Sequence, residues 1–438
     1  MRLYYTEIRP CKMAIMDAVV SLSSKQRVVV TAASSAGAAA TTQFTTLKNT
    51  KSWTTLGNAA SSKCLVAADR AAKLCSKWME YQGIRDWEGL LDPLDDYLRK
   101  EILRYGDFVE AAYRSFDFDT SSPTYATCQY DEDAVMSKCG LGGSGYKVTR
   151  NLYGTCSVNV PRWTNLVSPK SSWIGYVAVC DDKDEIRRLG RRDVVIAYRG
   201  TATPPEWLEN LRATLTCLPD DMAPRNCEPM VQRGFLSLYT STSDTHPSLK
   251  DTIRDEITKI IETYGDEPLS ITITGHSLGA ALATITAYDI TTKFRHAPLV
   301  TVVSFGGPRV GNKNFRSQLE KSGTKVLRIV NSDDPITKVP GFVVDPDDVS
   351  DCGTTQSSGM LSWLQKRVDS QWVYAEVGKE LRVSSSKDSS YSKGVATCHD
   401  LKTYLHLIDN WSTCNCPLRA TAKRVMEKNH GKRRRVLL

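Results

Sequence analysis

Residues 268–283 read PLSITITGHSLGAALA, and the rest of the chain is best interpreted from this stretch. Leu269–Thr274 alternates apolar and polar side chains and is rich in Ile and Thr, which favours a β-strand. The small and apolar residues from Leu278 onward indicate a closely packed helix. Between them, GHSLG matches the Gly-x-Ser-x-Gly nucleophile elbow, a sharp strand-to-helix turn that exposes a serine hydroxyl. We therefore expect Ser277 to be a catalytic nucleophile, with Gly275 and Gly279 required because the turn leaves no room for larger side chains.

The charge of the chain is concentrated at its two ends. The 438 residues carry a net charge of +8, but residues 1–68 contribute +6 and residues 419–438 contribute +7, which leaves −5 for the part between them. A core of this sign is not expected to bind nucleic acid. The basic tail is interpreted as a solvated segment, with contact to anionic lipid or a localisation signal as alternatives.

The first 68 residues have the composition of an organellar transit peptide. Residues 18–68 lack Asp and Glu and are rich in Ser, Thr and Ala with scattered Lys and Arg. A disordered leader is the alternative, and Met13 is a second candidate start. No apolar run reaches the ~20 residues that a membrane span needs. The 13 cysteines include no CxxC pair and do not resemble a secreted disulfide scaffold, so most are expected to be reduced.

Strand and helix patterns alternate through the second half of the chain, which predicts an α/β fold with a mostly parallel sheet covered by helices on both faces. Residues 78–119 are predicted to be helical, with a helix start at Asp92-Pro93, and residues 120–172 to be a polar connection with one or two short strands. The predicted strands are 173–180, 193–198, 269–274, 300–305, 326–330 and an edge strand at 372–383. The predicted helices are 206–214, 249–264, 278–294, 312–321 and 400–411, with a surface loop at 384–393.

A serine hydroxyl needs a base, usually His, oriented by an acid, and in this fold the chain order is Ser, then Asp or Glu, then His. The strand at 326–330 leads into NSDDP, where either Asp333 or Asp334 can serve; Asp334 is preferred because Pro335 restrains it. His399 is preferred as the base because it precedes the last helix. His406 lies inside that helix and is expected to pack there, while His430 lies in the basic tail.

An oxyanion requires two N–H donors. The backbone of Leu278 is expected to supply one, and Thr201, after Gly200 at the end of the 193–198 strand, to supply the other. The stretch from Thr201 to Phe235 includes Leu211, Leu215, Leu218 and Met222. It is interpreted as a lid with an apolar underside, or alternatively as a surface excursion. His276 is expected to be structural.

Seven motifs of the chain resemble the class I chloroplast phospholipase A1 lipases of plants, within the class 3 lipase superfamily. They are WEGLLDPL (87–94), RYGDFVEAAY (104–113), YRGT (198–201), GHSLGA (275–280), FGGPRVG (305–311), RIVN (328–331) and HDL (399–401). The first two are the most specific to the plant group. The resemblance implies an α/β-hydrolase fold and a Ser277–Asp334–His399 triad.

The resemblance also implies hydrolysis of sn-1 acyl esters of glycerolipids, with phosphatidylcholine, galactolipids or triacylglycerol of a membrane or lipid droplet as substrate. A transit peptide would direct the protein to the chloroplast, and neither a metal nor an organic cofactor is expected. The expected division is a leader at 1–68, a lipase domain at 69–418 and a basic tail at 419–438. The domain comprises a helical extension at 76–119 and a hydrolase core at about 140–418. A non-catalytic lipase-like signalling protein and an esterase for small soluble esters are the alternatives.

Overall fold

A seven-stranded sheet forms the centre of the computed structural model, which describes residues 74–155, 171–201, 214–223, 229–340, 374–384 and 395–411. The predicted leader at 1–68 and the tail at 419–438 lie outside the described residues, as do nearly all of the helix at 206–214 and of the loop at 384–393. The strands are β1 (Tyr146–Thr155), β2 (Ser171–Cys180), β3 (Arg192–Tyr198), β4 (Leu215–Cys217), β5 (Met230–Gln232), β6 (Leu269–His276), β7 (Leu299–Phe305), β8 (Gly311–Asn312), β9 (Lys325–Asn331), β10 (Tyr374–Ala375) and β11 (Lys379–Val383).

Residues 74–81 are helical, and the later helices are named in chain order. They are α1 (Asp96–Ser115), α2 (Glu132–Lys138), α3 (Lys183–Leu189), α4 (Arg233–Thr240), α5 (Leu249–Tyr264), α6 (Leu278–Lys293), α7 (Lys313–Lys321), α8 (Val395–Cys398) and α9 (Leu401–Asp409), with a 3₁₀ turn at Ile336–Lys338. None of these described helices combines the length and apolarity that crossing a bilayer requires.

The order of the large sheet is β1-β2-β3-β6-β7-β9-β11. The pairs from β3 to β11 are all parallel, and only β1 with β2 and β2 with β3 are antiparallel. The prediction of a mostly parallel sheet is therefore confirmed. A small second sheet, β10-β8-β5-β4, was not predicted, because its strands of two or three residues are too short to show a pattern.

Helices cover both faces of the sheet, as predicted. Successive residues of β3 face opposite sides, so that Val195 and Ala197 pack in one apolar cluster and Val194 and Ile196 in the other. Helices α1 and α9 cover the first face, while α4, α5, α6 and α7 cover the second. Helix α6 is buried on all sides from Leu278 to Ile290, which explains why its residues are small or apolar rather than amphipathic.

The structure corrects three details of the predicted elements. Helix α1 begins at Asp96 and not at Asp92-Pro93, because the Asp95 carboxylate accepts the N–H groups of Tyr97 and Leu98 and caps the helix there. The region 120–172 contributes a full ten-residue strand, β1, whose two register shifts against β2 obscure its alternation. The edge strand predicted at 372–383 is two strands in different sheets, β10 and β11.

Candidate active site

The carboxyl ends of the central parallel strands bring the predicted site residues to one edge of the sheet. Strand β3 leads into Gly200 and Thr201, β6 into Ser277, and β9 into the loop that carries Asp334. Helix α9 follows His399 directly. Parallel strands end at the same edge, so the loops that follow them are the usual place for reacting groups.

The serine lies on a strained turn between β6 and α6. Ser277 has φ 57° and ψ −123°, a conformation that L-residues adopt only at measurable cost and that is held here by a hydrogen bond from its N–H to the Phe305 carbonyl, at 3.0 Å. A Cβ on Gly275 would lie 2.4 Å from the Gly279 backbone, and a Cβ on Gly279 would lie 2.6 Å from the Arg199 carbonyl oxygen. Both elbow glycines are therefore required by close backbone approach.

Ser277, His399 and Asp334 form a continuous series of hydrogen bonds. The Ser277 Oγ lies 2.8 Å from His399 Nε2, and His399 Nδ1 lies 2.7 Å from Asp334 Oδ2. All three side chains are buried, with exposed fractions of 4%, 2% and 0%. The structure thus brings together the three residues that the chain-order rule selected. With Nδ1–H donated to the carboxylate, Nε2 is left as an acceptor for the serine proton.

Of the two adjacent carboxylates, Asp333 is exposed and only Asp334 faces the imidazole. Asp334 is also held by the backbone N–H of Ile336, which donates to Oδ1 at 2.9 Å, and by the Tyr404 hydroxyl, which donates to Oδ2 at 2.6 Å. Burial, followed by the charge of Asp334, raises the pKa of Tyr404 well above its usual value, so its proton stays on the hydroxyl. The acid is therefore fixed by three donors.

The other histidines near this site differ from one another. His406 is exposed on α9, so the expectation that it packs in the interior is wrong, and His430 lies outside the described residues. His276, next to the nucleophile, is buried and contacts the Tyr113 hydroxyl through Nδ1 at 2.8 Å and the His399 backbone carbonyl through Nε2 at 2.7 Å. Burial, reinforced by the neighbouring His399, lowers the pKa of His276 to about 3, which keeps the ring neutral.

The loop after β3 passes directly against the elbow. A Cβ on Gly200 would lie 2.9 Å from the His276 carbonyl oxygen and 3.1 Å from the Ser277 Cβ. The Oγ1 of Thr201 is buried and has no hydrogen-bond partner in the part of the chain that the structure describes. The N–H of Leu278 is the first of α6 and has no acceptor within its own helix. Both predicted oxyanion residues thus lie beside the nucleophile.

Two tyrosines at this site were missed by sequence reasoning. Tyr113 comes from α1, 163 residues before His276, and no local pattern indicates that contact. Tyr404 lies five residues after His399, in the first turn of α9, so the helix that places it could have suggested that it faces the same strand ends. Among the described residues, no cluster of His, Cys, Asp or Glu is suited to hold a metal ion.

The segment interpreted as a lid is in part an element of the core. Three of its residues, Leu215, Leu218 and Met222, are buried. The last two belong to the same apolar cluster as residues of β3 and α5. Neither a lipid-facing underside nor a surface excursion therefore fits these three residues. Leu211 lies outside the described residues. The six cysteines that the structure describes form no disulfide with one another.

Comparison with known proteins places this geometry in a family. The model of the family described as Lipase (class 3) matches residues 195–344. Phospholipase A(1) DAD1, chloroplastic, of Arabidopsis thaliana is 60% identical over 368 residues, which are 81% of this chain and 81% of the relative. Phospholipase A1 EG1, chloroplastic/mitochondrial, of Oryza sativa subsp. indica is 39% identical over 352 residues, covering 78% and 76% of the two chains.

A third relative bears a different name. Galactolipase DONGLE, chloroplastic, of Arabidopsis thaliana is 38% identical over 345 residues, which are 76% of this chain and 69% of that protein. The resemblance found in the sequence motifs is confirmed, and the expected chloroplast location agrees with the names of these relatives. The chain belongs to the class 3 lipase family, with the α/β-hydrolase fold, and is a carboxylic ester hydrolase related to the chloroplast phospholipases A1 of plants.

Proposed function

We propose that this protein hydrolyses the sn-1 acyl ester of glycerolipids in the chloroplast, with Ser277, His399 and Asp334 as its catalytic triad. The observation that carries the proposal is the buried hydrogen-bond series from the Ser277 hydroxyl through the imidazole to Asp334. Relatives named phospholipase A1 and galactolipase support phospholipids and galactolipids as substrates, with triacylglycerol as a further candidate.

The reaction proceeds by two acyl transfers. His399 takes the Ser277 proton through Nε2 as the hydroxyl oxygen attacks the ester carbonyl, and Asp334 stabilises the imidazolium that forms. The N–H groups of Leu278 and Thr201 stabilise the negative charge on the carbonyl oxygen, and the unpartnered Thr201 hydroxyl can donate to the same atom. The lysolipid leaves with the proton from His399. Water then attacks the acyl-enzyme, with His399 again as the base, and the fatty acid is released.

The test compares the wild type with Ser277→Ala on three substrates: dispersed phosphatidylcholine, a galactolipid and a short-chain soluble ester. We expect the variant to lose at least about 10³-fold in rate on every substrate that the wild type hydrolyses. Hydrolysis of the two lipids with release of the sn-1 fatty acid supports the proposal. Turnover of the soluble ester alone would favour a small-ester esterase, and the absence of turnover on all three would favour a non-catalytic role.

A further inference from the structure

The guanidinium group of Arg199 is buried immediately behind the loop that carries Thr201. Its Nε donates to the Trp173 carbonyl at 2.9 Å, its Nη2 to the Ser172 Oγ at 2.9 Å, and its Nη1 to the Gly200 carbonyl at 2.7 Å. The Phe116 ring stacks beneath it, with the guanidinium carbon 3.6 Å from the ring centroid. The side chain is therefore fixed on every edge.

The charge of this arginine has no ionic partner among the described residues. Among the residues that the structure describes, no carboxylate oxygen lies within 4.0 Å of the Arg199 guanidinium, although the side chain is only 7% exposed. Arg192, at the other end of the same strand, instead pairs with Glu267 at 2.9 Å. A buried charge without a partner is costly to the fold. Burial lowers the pKa of Arg199 to about 10, which still leaves it positively charged at neutral pH.

The Gly200 carbonyl that Arg199 binds belongs to the same peptide unit as the N–H of Thr201. In a trans peptide these two groups point in opposite directions, so a cation that grips the carbonyl orients the N–H away from itself. A charge-assisted hydrogen bond to the carbonyl oxygen also polarises the amide and makes its N–H a stronger donor.

We propose that Arg199 is a positioning residue of the oxyanion site: it orients and polarises the Gly200–Thr201 peptide, and its positive charge stabilises the negative charge that develops on the substrate oxygen. This inference rests on the proposed function, because it requires Thr201 to be an oxyanion donor. The substrate oxygen is uncharged before the attack. The contribution of Arg199 is therefore confined to the tetrahedral state and should not strengthen the binding of the intact ester.

The experiment uses an alkyl trifluoromethyl ketone and the methyl ketone of the same chain length as inhibitors. The first adds the Ser277 oxygen to its carbonyl carbon, the serine proton passes to His399, and the carbonyl oxygen becomes an oxyanion; the second binds without this addition. In Arg199→Met we expect kcat on a soluble ester to fall about 10- to 100-fold, with KM nearly unchanged. The affinity for the trifluoromethyl ketone should fall by a similar factor, while that for the methyl ketone stays the same.

Two further variants separate this role from folding. Arg192→Met removes a buried arginine at the opposite end of β3 and should lower thermal stability while leaving kcat and both affinities unchanged. Arg199→Lys retains the positive charge but lacks the planar guanidinium group, so its losses of kcat and of affinity for the trifluoromethyl ketone should be smaller than those of Arg199→Met. It also provides the test if Arg199→Met does not fold.

Three results would overturn the proposal: an Arg199 variant with unchanged kcat, one that binds both ketones equally weakly, or an Arg199→Lys variant that loses stability alone. Failure of the proposed function is recognised separately in the wild type. Hydrolysis of the soluble ester alone would overturn the glycerolipid substrate, while the absence of a ketone adduct, with Ser277→Ala as active as the wild type, would overturn the Ser277 mechanism.

Discussion

His276 Nε2 lies 2.7 Å from the backbone carbonyl oxygen of His399, and this contact connects the elbow to the segment that carries the base. A carbonyl oxygen accepts only, so Nε2 must bear the proton and Nδ1 must be the acceptor. The Tyr113 hydroxyl, 2.8 Å from Nδ1, is therefore the donor. Helix α1 thus helps to hold His399 through a neutral histidine.

Removing the Tyr113 hydroxyl should weaken this support for His399 without changing the binding of the substrate. We expect Tyr113→Phe to lower kcat about 10-fold with little change in KM, because the base is displaced while substrate binding is retained. Steady-state kinetics on a soluble ester checks this. Tyr153→Phe removes the hydroxyl of a half-buried tyrosine that stacks on His246, and should leave kcat unchanged. Equal effects of the two variants would contradict a positioning role.

The neutral His276 makes stability depend on pH. Its pKa is lowered from 6.5 to about 3 in the folded protein, so between these values the unfolded chain binds more protons. The stability that this difference supplies is complete above pH 6.5 and is lost as the pH falls towards 3, by roughly 1.4 kcal/mol per pH unit. Urea unfolding of His276→Gln should show a correspondingly smaller loss on the acid side. The exposed His296 provides the control, since His296→Gln should follow the wild-type curve.

The two adjacent carboxylates should respond very differently to amidation. Asp334→Asn is expected to lower kcat by roughly 10³- to 10⁴-fold, because an amide facing Nδ1 favours the wrong imidazole tautomer. Asp333→Asn changes an exposed carboxylate and should stay within about twofold of the wild type. Rates of ester hydrolysis for the two variants test which carboxylate orients His399. A large loss of rate in Asp333→Asn, with little loss in Asp334→Asn, would assign this role to Asp333.

Removal of the Thr201 hydroxyl should have opposite effects on activity and on stability. The hydroxyl is buried without a partner in the described part of the chain, so Thr201→Val should not lower the unfolding temperature and can raise it. If the hydroxyl donates to the oxyanion, the same change lowers kcat by about 10- to 100-fold, while Thr201→Ser retains most activity. Thermal unfolding and kinetics, measured on one preparation, test both halves; full activity in Thr201→Val would exclude the donor role.

A buried ionic cluster far from the elbow should control stability. Asp193 is fully buried and accepts from Tyr146 and Ser270, each at 2.8 Å, while Arg104 lies 3.2 Å and Arg191 3.7 Å away. Burial alone would raise the pKa of Asp193, but the two guanidinium groups and the hydrogen bonds from Ser270 and Tyr146 together outweigh it and lower the pKa.

Asp193→Asn removes the fully buried carboxylate and leaves Glu101, 2.7 Å from Arg104 and 3.9 Å from Arg191, as the remaining partner of both arginines. We therefore expect the free energy of unfolding to fall by about 3 kcal/mol, the lower end for a broken buried ion pair. Glu320→Gln removes an exposed ion pair with Arg316 and should cost less than about 1 kcal/mol. Denaturant titration of both variants measures the difference, and equal losses would mean that the cluster contributes no more than a surface pair.

The sequence patterns predicted those helices and strands whose buried side chains recur with a regular spacing. Helix α5 was predicted with its observed bounds, because Ile253, Ile257 and Ile260 form one buried face and Ser248 caps the first turn. Strand β1 was not predicted at its full length, because its register shifts and exposed polar side chains interrupt the alternation.

For the candidate active site too, some residues could be predicted from the sequence and others could not. The order of Ser277, Asp334 and His399 follows from the topology of the fold, so a chain-order rule could select residues that the structure brings together. The contacts of Tyr113 and Arg199 depend on the packing of α1 and β2 against β3. Such long-range packing leaves no regular spacing of residues in the sequence from which it could be predicted. The roles proposed for these residues remain predictions for the experiments above.

Ser277 and His399, the proposed nucleophile and base, are separated by 122 residues of chain. A ribosome therefore completes the elbow well before His399 emerges, and an unfolded chain on its way into an organelle carries the serine without its activator. With His399 as the proposed base, we expect ester cleavage to begin only after the segment before α9 has docked against the sheet. The proposed triad is thus a property of the folded chain alone, and a partly synthesised or unfolded chain would carry Ser277 without its base.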